Sequence, residues 1–152
     1  MKKIKAYLDR VIEKLLITIF GLMVINVIWQ VITRYFSENP SSFTDELSRY
    51  LMIWLGILGA AYVTGKNEHV SIDFFIKKIS VQNRKILTLF ITLSIICFAI
   101  IALVIGGGRL VYITLILQQY SPSLKIPLAF VYSVLPISGI LIIFYKITEI
   151  TK

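Results

Sequence analysis

Residues Ile86 to Gly108 read ILTLFITLSIICFAIIALVIGGG, 23 consecutive positions without a charged side chain. An α-helix needs about 20 residues to cross the hydrocarbon core of a bilayer, and lipid requires each backbone polar group to be satisfied within its own segment. A run of this length is therefore read as a spanning helix. Three more uncharged runs flank it: Leu15 to Thr33 (LLITIFGLMVINVIWQVIT), Tyr50 to Gly65 and Ile126 to Tyr145. The four together make up about half of the 152 residues, and 57% of the chain is apolar with a mean hydropathy of +0.84. An ordinary soluble domain is roughly 45–50% apolar. The expected fold is an all-α integral membrane protein: one four-helix membrane domain over 1–152, with transmembrane spans at about 15–35, 47–65, 86–108 and 126–146. Leu110 to Leu117 is also strongly apolar, so the third span either extends to 117 as a long tilted helix or packs its extension on another subunit. The triple glycine Gly106-Gly107-Gly108 points to close packing or a bend there.

Composition excludes a soluble enzyme and several membrane chemistries. The one cysteine, Cys97, gives neither an intrachain disulfide nor a redox thiol pair, and the one histidine, His69, cannot supply both axial ligands of a haem. No nucleotide-binding loop of the GxxxxGK[ST] or GxGxxG kind occurs. No cofactor and no enzymatic activity are expected. The four runs hold no Asp, Glu, Lys, Arg or His at their centres, whereas a self-sufficient ion-coupled transporter usually carries one at membrane depth. The transported species is therefore expected to bind elsewhere.

The net charge of +8 resembles a nucleic-acid signature until the basic residues are placed along the chain. Twelve of the 16 fall on one side of the expected membrane: Lys2, Lys3, Lys5, Arg10, Lys14, Lys66, Lys77, Lys78, Arg84, Lys85, Lys146 and Lys152. Arg34, Arg49, Arg109 and Lys125 fall on the other. The positive-inside rule then makes both termini cytoplasmic, and the charge is topological rather than a sign of nucleic-acid binding. The first span, 19 residues long and followed by no small-residue cleavage site, reads as a retained anchor.

Local patterns add candidate contacts. Ile4, Tyr7, Leu8, Val11, Ile12 and Leu15 recur at helical spacing, which predicts an interfacial amphipathic helix that bends or runs into the first span. Within that span Thr18, Asn26, Gln30, Thr33 and Arg34 form a polar stripe, suited either to contact inside the bundle or to a partner chain. After the Asn39-Pro40 turn, Ser42 to Asp45 fits a helix-capping pattern, Asp45 and Glu46 complement the helix dipole, and Asp45 and Arg49 are spaced for an i, i+4 pair. Tyr50 and Trp54 suit headgroup depth. Gly56 with Ala60, and Ala61 with Gly65, are small-xxx-small pairs around Gly59, able to admit another helix from this chain or a partner. Ile72, Phe75, Ile76 and Ile79 predict a second amphipathic helix on anionic lipid headgroups. Glu68-His69 is either a proton relay or a solvated loop pair, and Pro136 should kink the last span.

Several of these residues carry a family resemblance. Arg34-Tyr35 through Pro40, Phe43-Thr44-Asp45-Glu46-Leu47, Arg49-Tyr50, Trp54-Leu55-Gly56, Leu58-Gly59-Ala60-Ala61, Glu68-His69-Val70 and Asp73 resemble the DctQ-type small membrane subunit of tripartite ATP-independent periplasmic (TRAP) transporters. Gly108-Arg109, Ser121 to Pro127 and Tyr132 to Pro136 resemble that family's approach to its last helix. Where the family usually has Trp, Phe43 keeps only the aromatic character. The resemblance implies a bacterial inner-membrane subunit bound to a large, sodium-coupled membrane subunit that works as an elevator, with a periplasmic binding protein delivering an organic acid such as a C4-dicarboxylate or sialic acid. Asn26, Gln30, Arg34, Asp45, Glu46, Arg49, Gly56, Gly59, Ala60, His69 and Arg109 are then the candidate structural or partner contacts. The competing expectation is a small self-associating membrane channel or anchor protein, with the small-residue face as its seam.

Overall fold

The computed structural model describes residues 2–36, 42–66 and 81–150. Among these the chain is helical: α1 (Lys2–Phe36), α2 (Ser42–Lys66), α3 (Val81–Phe98), a π-helical stretch (Ala99–Gly106), α4 (Gly107–Ile116), α5 (Leu128–Tyr132) and α6 (Val134–Ile150). Four apolar segments are long enough to cross a membrane: Ile4–Phe36, Ser42–Lys66, Ile86–Ile116 and Leu128–Glu149. The third continues through the π stretch into α4, which makes it one long helix of 31 residues. The first amphipathic turns do not bend away, because α1 runs without interruption for 35 residues. The second expected amphipathic helix, with Glu68 and His69, lies outside the described residues.

Small side chains decide where the helices meet. Ala61 of α2, Ala99 of the π stretch and Ile142 of α6 form the centre, with Ile95, Leu103, Leu141 and Ile143 packed around it. A methyl group added at Gly65 would lie 2.8 Å from the Tyr145 ring, one at Gly107 2.6 Å from Leu135 Cβ, and one at Gly139 2.8 Å from Leu103 Cβ. These three glycines allow backbones to approach where the driving force is packing rather than water exclusion. α1 stands outside this core and rests mainly on α2. An apolar crevice of about 330 Å³ opens between α1, α2 and α5, bordered by Leu15, Ile19, Leu51, Trp54 and Phe130.

The last span is interrupted at Ser133, between α5 and α6, three residues before the proline expected to bend it. Ser133 itself keeps helical dihedrals, its N–H bonds the Ala129 carbonyl at 3.0 Å and the Ile137 N–H bonds the Ser133 carbonyl at 3.3 Å, so the bond lost between them is the one that Pro136, without an N–H, cannot donate to the Tyr132 carbonyl. The irregularity thus falls in the turn preceding the proline, where the missing bond would have been.

Candidate partner interface

One end of the bundle is held by a polar ladder between α1 and α2. The Asn26 Nδ2 amide donates to the Thr44 carbonyl oxygen at 2.7 Å and to Ser48 Oγ at 2.7 Å. One α-helical turn further on, Gln30 Nε2 donates to Asp45 Oδ1 at 3.4 Å, while Arg49 donates to Asp45 Oδ2 at 2.7 Å. The polar stripe of the first span therefore faces α2 at Asn26 and Gln30, as membrane-depth amides must if they are to be paired. Asp45 and Arg49 make the i, i+4 ion pair with both side chains exposed. The capping pattern at Ser42 is not visible: Ser42 is itself the first residue of α2, and the cap position before it lies outside the described residues. Arg34, in the last turn of α1, and Arg109, on α4, are both exposed.

Glu46 occupies a different setting from Asp45. Its Oε1 accepts from the Tyr50 hydroxyl at 2.8 Å, and its Oε2 accepts from the backbone N–H groups of Ser123 and Leu124 at 2.9 and 3.1 Å. The turn that carries these amides is tightened by its own bonds, Lys125 N–H to the Ser121 carbonyl at 3.0 Å and Ser121 N–H to the Ile126 carbonyl at 2.9 Å. Lys125 adopts a φ of 54° there, in the left-handed region. Two backbone donors and a phenol converge on a side chain that, when ionised, offers only acceptors. Glu46 thus fastens the start of α2 to the segment that leads into the last span.

Trp54 turns its indole toward the last span. Its indole N–H donates to the Val131 carbonyl at 3.0 Å, beside the break at Ser133, and its ring stacks on Phe130 at 5.6 Å between centroids. Nothing in the local pattern around Trp54 identifies an acceptor 77 residues away. At the opposite end of the bundle Tyr62 donates to Glu13 at 3.2 Å, Lys66 lies 5.3 Å from the Tyr62 ring centroid, and Lys5 lies 5.6 Å from that of Tyr145. The Glu13 and Lys5 contacts tie the N-terminal part of α1 to α2 and α6, and local spacing in α1 does not reveal partners so far along the chain.

The small-residue pairs of α2 divide between two faces. Ala61 and Gly65 are buried in the bundle, with Gly65 against Tyr145. Gly56 and Ala60 are exposed, and a methyl group added at Gly56 or Gly59 would meet nothing within 4 Å. Met52 and Val63 extend the same exposed stripe. His69 lies outside the described residues.

Residues 23–152 match the family model described as the DctQ component of tripartite ATP-independent periplasmic transporters. The chain belongs to the DctQ family. This DctQ chain is 33% identical over 153 residues to a Haemophilus influenzae protein assigned to the TRAP transporter small permeases, a match covering 99% of this chain and 91% of the relative. It is 23% identical over 153 residues to the sialic acid TRAP transporter small permease protein SiaQ of Vibrio cholerae, covering 99% and 85% of the two chains. Over 81 residues, 53% of this chain, it is also 31% identical to 12% of the sialic acid TRAP transporter permease protein SiaT of Haemophilus influenzae. A DctQ chain with four apolar helices is a multi-pass protein of the bacterial inner membrane and a component of a transporter that includes a larger permease.

Proposed function

We propose that this small TRAP subunit scaffolds a large, sodium-coupled elevator subunit during uptake of an organic acid delivered by a periplasmic binding protein. A C4-dicarboxylate or sialic acid is the solute class in view, and the sialic acid transporters among the relatives support the second. The likeness to a short part of the long permease SiaT fits a chain that works beside a much larger membrane protein.

The observation that carries the scaffold reading is the open face of α2 at Gly56, Gly59 and Ala60. In a membrane, small residues bring helices together by admitting close backbone contact. Gly65 already serves this purpose within the bundle, against Tyr145, while Gly56 and Gly59 have open space before them. In this reading the exposed stripe receives the large subunit. In the same reading Arg34, Asp45, Arg49 and Arg109 contribute contacts to the large subunit or the binding protein, and His69 is a further contact residue rather than a proton relay.

The direct test is reconstitution in liposomes with a sodium gradient and labelled organic acids. Uptake is expected only when the larger subunit and a binding protein accompany this chain, and uptake by this chain alone would overturn the scaffold reading. Gly56→Leu is expected to reduce copurification of the large subunit while leaving this chain's own unfolding temperature unchanged. Gly65→Ala, which drives a methyl group into the Tyr145 ring, is expected to lower that temperature directly. Purification of a ring of identical copies would instead support a self-associating channel.

A further inference from the structure

The π stretch holds one residue more than its neighbours require. Along the third span the buried small residues are Thr92, Ala99, Gly107 and Thr114, separated by seven, eight and seven positions. Seven residues make almost two full turns of α-helix, so a seven-residue interval returns to the same face, whereas an eighth residue would displace the next position by about 100°. The interval of eight is the one that contains Ala99–Gly106, where the Gly107 N–H reaches back five residues to the Ala102 carbonyl. The wider turn absorbs the extra residue and keeps Gly107 and Thr114 on the bundle face.

The three consecutive glycines are not equally constrained. A methyl group at Gly107 would lie 2.6 Å from Leu135 Cβ and 3.2 Å from Pro136, so this position accepts glycine alone. At Gly106 the nearest atom would be 3.4 Å away, and at Gly108 there is nothing within 4 Å. Two glycines are therefore present without a steric reason in this register, although each costs helix stability relative to alanine.

We infer that Ala99–Gly106 and the triple glycine form a register switch, in which the extra residue can be released and α4 advanced by one position. If the π stretch relaxes to α-helix with Ala99 held in place, Gly106 takes the site beneath Leu135 and Pro136 that Gly107 fills here. Gly107 then moves to the open site of Gly108, and Gly108 to the exposed site of Arg109. In the buried stripe Ile113 replaces Thr114, all intervals become seven, and α4 moves about 1.5 Å toward the Glu46 end of the bundle. Only a glycine at 106 permits the exchange. Gly106 thus serves the second register rather than the one seen here.

The two registers differ in whether residue 114 is buried, which a thiol can report without reference to transport. Thr114→Cys is placed in a Cys97→Ser background in the full chain, in membranes with its partner subunit, and labelled with a small membrane-permeant thiol reagent. Gly106→Ala fits the observed register and blocks the other, so labelling at 114 is expected to slow about tenfold. Gly107→Ala excludes the observed register and fits the other, so labelling is expected to accelerate by a similar factor. Gly108→Ala fits both and should label at the parent rate. Equal rates in Gly106→Ala and Gly108→Ala would overturn the switch, as would a Gly107→Ala protein that folds and still protects residue 114. If Gly107→Ala fails to fold, the comparison between the alanines at 106 and 108 decides alone.

Discussion

Asp45 and Glu46 are neighbours with the same chemistry in sequence and opposite roles in space. Asp45 shares an exposed ion pair with Arg49, an arrangement worth a few tenths of a kcal/mol because water screens both partners. Glu46 gathers two backbone N–H groups and the Tyr50 hydroxyl, and its removal would take this acceptor from all three, leaving the Leu124 N–H its second bond to Ser121 Oγ at 3.2 Å. Glu46→Ala is accordingly expected to lower the unfolding temperature clearly, and Arg49→Ala to leave it nearly unchanged. Thermal unfolding of the purified protein in detergent checks both. In the same Glu46→Ala protein a cysteine at Ser123 should react faster with a water-soluble thiol reagent, since its backbone is no longer tethered. An unchanged midpoint in Glu46→Ala would show that the turn is held by its own Ser121 and Lys125 bonds alone.

At the scale of the helices, the junction between α5 and α6 depends on a side chain from α2. Trp54→Phe keeps an aromatic ring against Phe130 and removes the indole N–H that reaches the Val131 carbonyl. It is expected to cost about 0.5–1.5 kcal/mol and to raise amide hydrogen exchange in residues 131–135, with α1 and α2 unaffected. What the sequence made legible at this scale followed from what lipid forbids. Charge is excluded from spans, so the four apolar runs stood out and the long third helix was one of two anticipated forms. Pro136 announced an irregularity, and the interruption at Ser133 lies in the turn before it, where the proline withholds the N–H that the Tyr132 carbonyl would accept. The π stretch was hidden in a uniformly apolar run, where one surplus residue changes no hydrophobic pattern and shows only in the spacing of Thr92, Ala99, Gly107 and Thr114. Asn26 and Gln30 signalled that they needed partners without saying which. Glu46 and Trp54 owe their roles to segments 77 residues away, and local spacing carries no information at that range.

For the molecule as a whole, the asymmetry of basic residues sets an orientation that labelling can test. With twelve lysines and arginines on one side and four on the other, both termini and the Lys66 to Lys85 connection are expected in the cytoplasm. In a Cys97-free background, single cysteines at Ser41 and Ser123 should react with an impermeant reagent from outside the cell, and one at Asn67 should not. Reaction at Asn67 from outside would reverse the assignment. Ser123 and Glu46 are bonded, so the side found for one holds for the other.

The bonds from Glu46 and Trp54 also order events in time. A membrane protein emerges from the ribosome N-terminus first, and Glu46 and Trp54 are made long before Ser123, Leu124 and Val131. Each of these contacts closes a circuit of 77 or 78 residues that contains the whole third span. Neither can close until that span has been threaded and the fourth has begun to enter. Until then the first two helices, joined by Asn26 and Gln30, hold the Trp54 indole and one Glu46 oxygen, Oε2, without these partners, while Oε1 keeps its bond from Tyr50. A chain truncated before Ser123 would keep the bonds between its first two helices and lack every bond from Glu46 Oε2 and the Trp54 indole to the later segment.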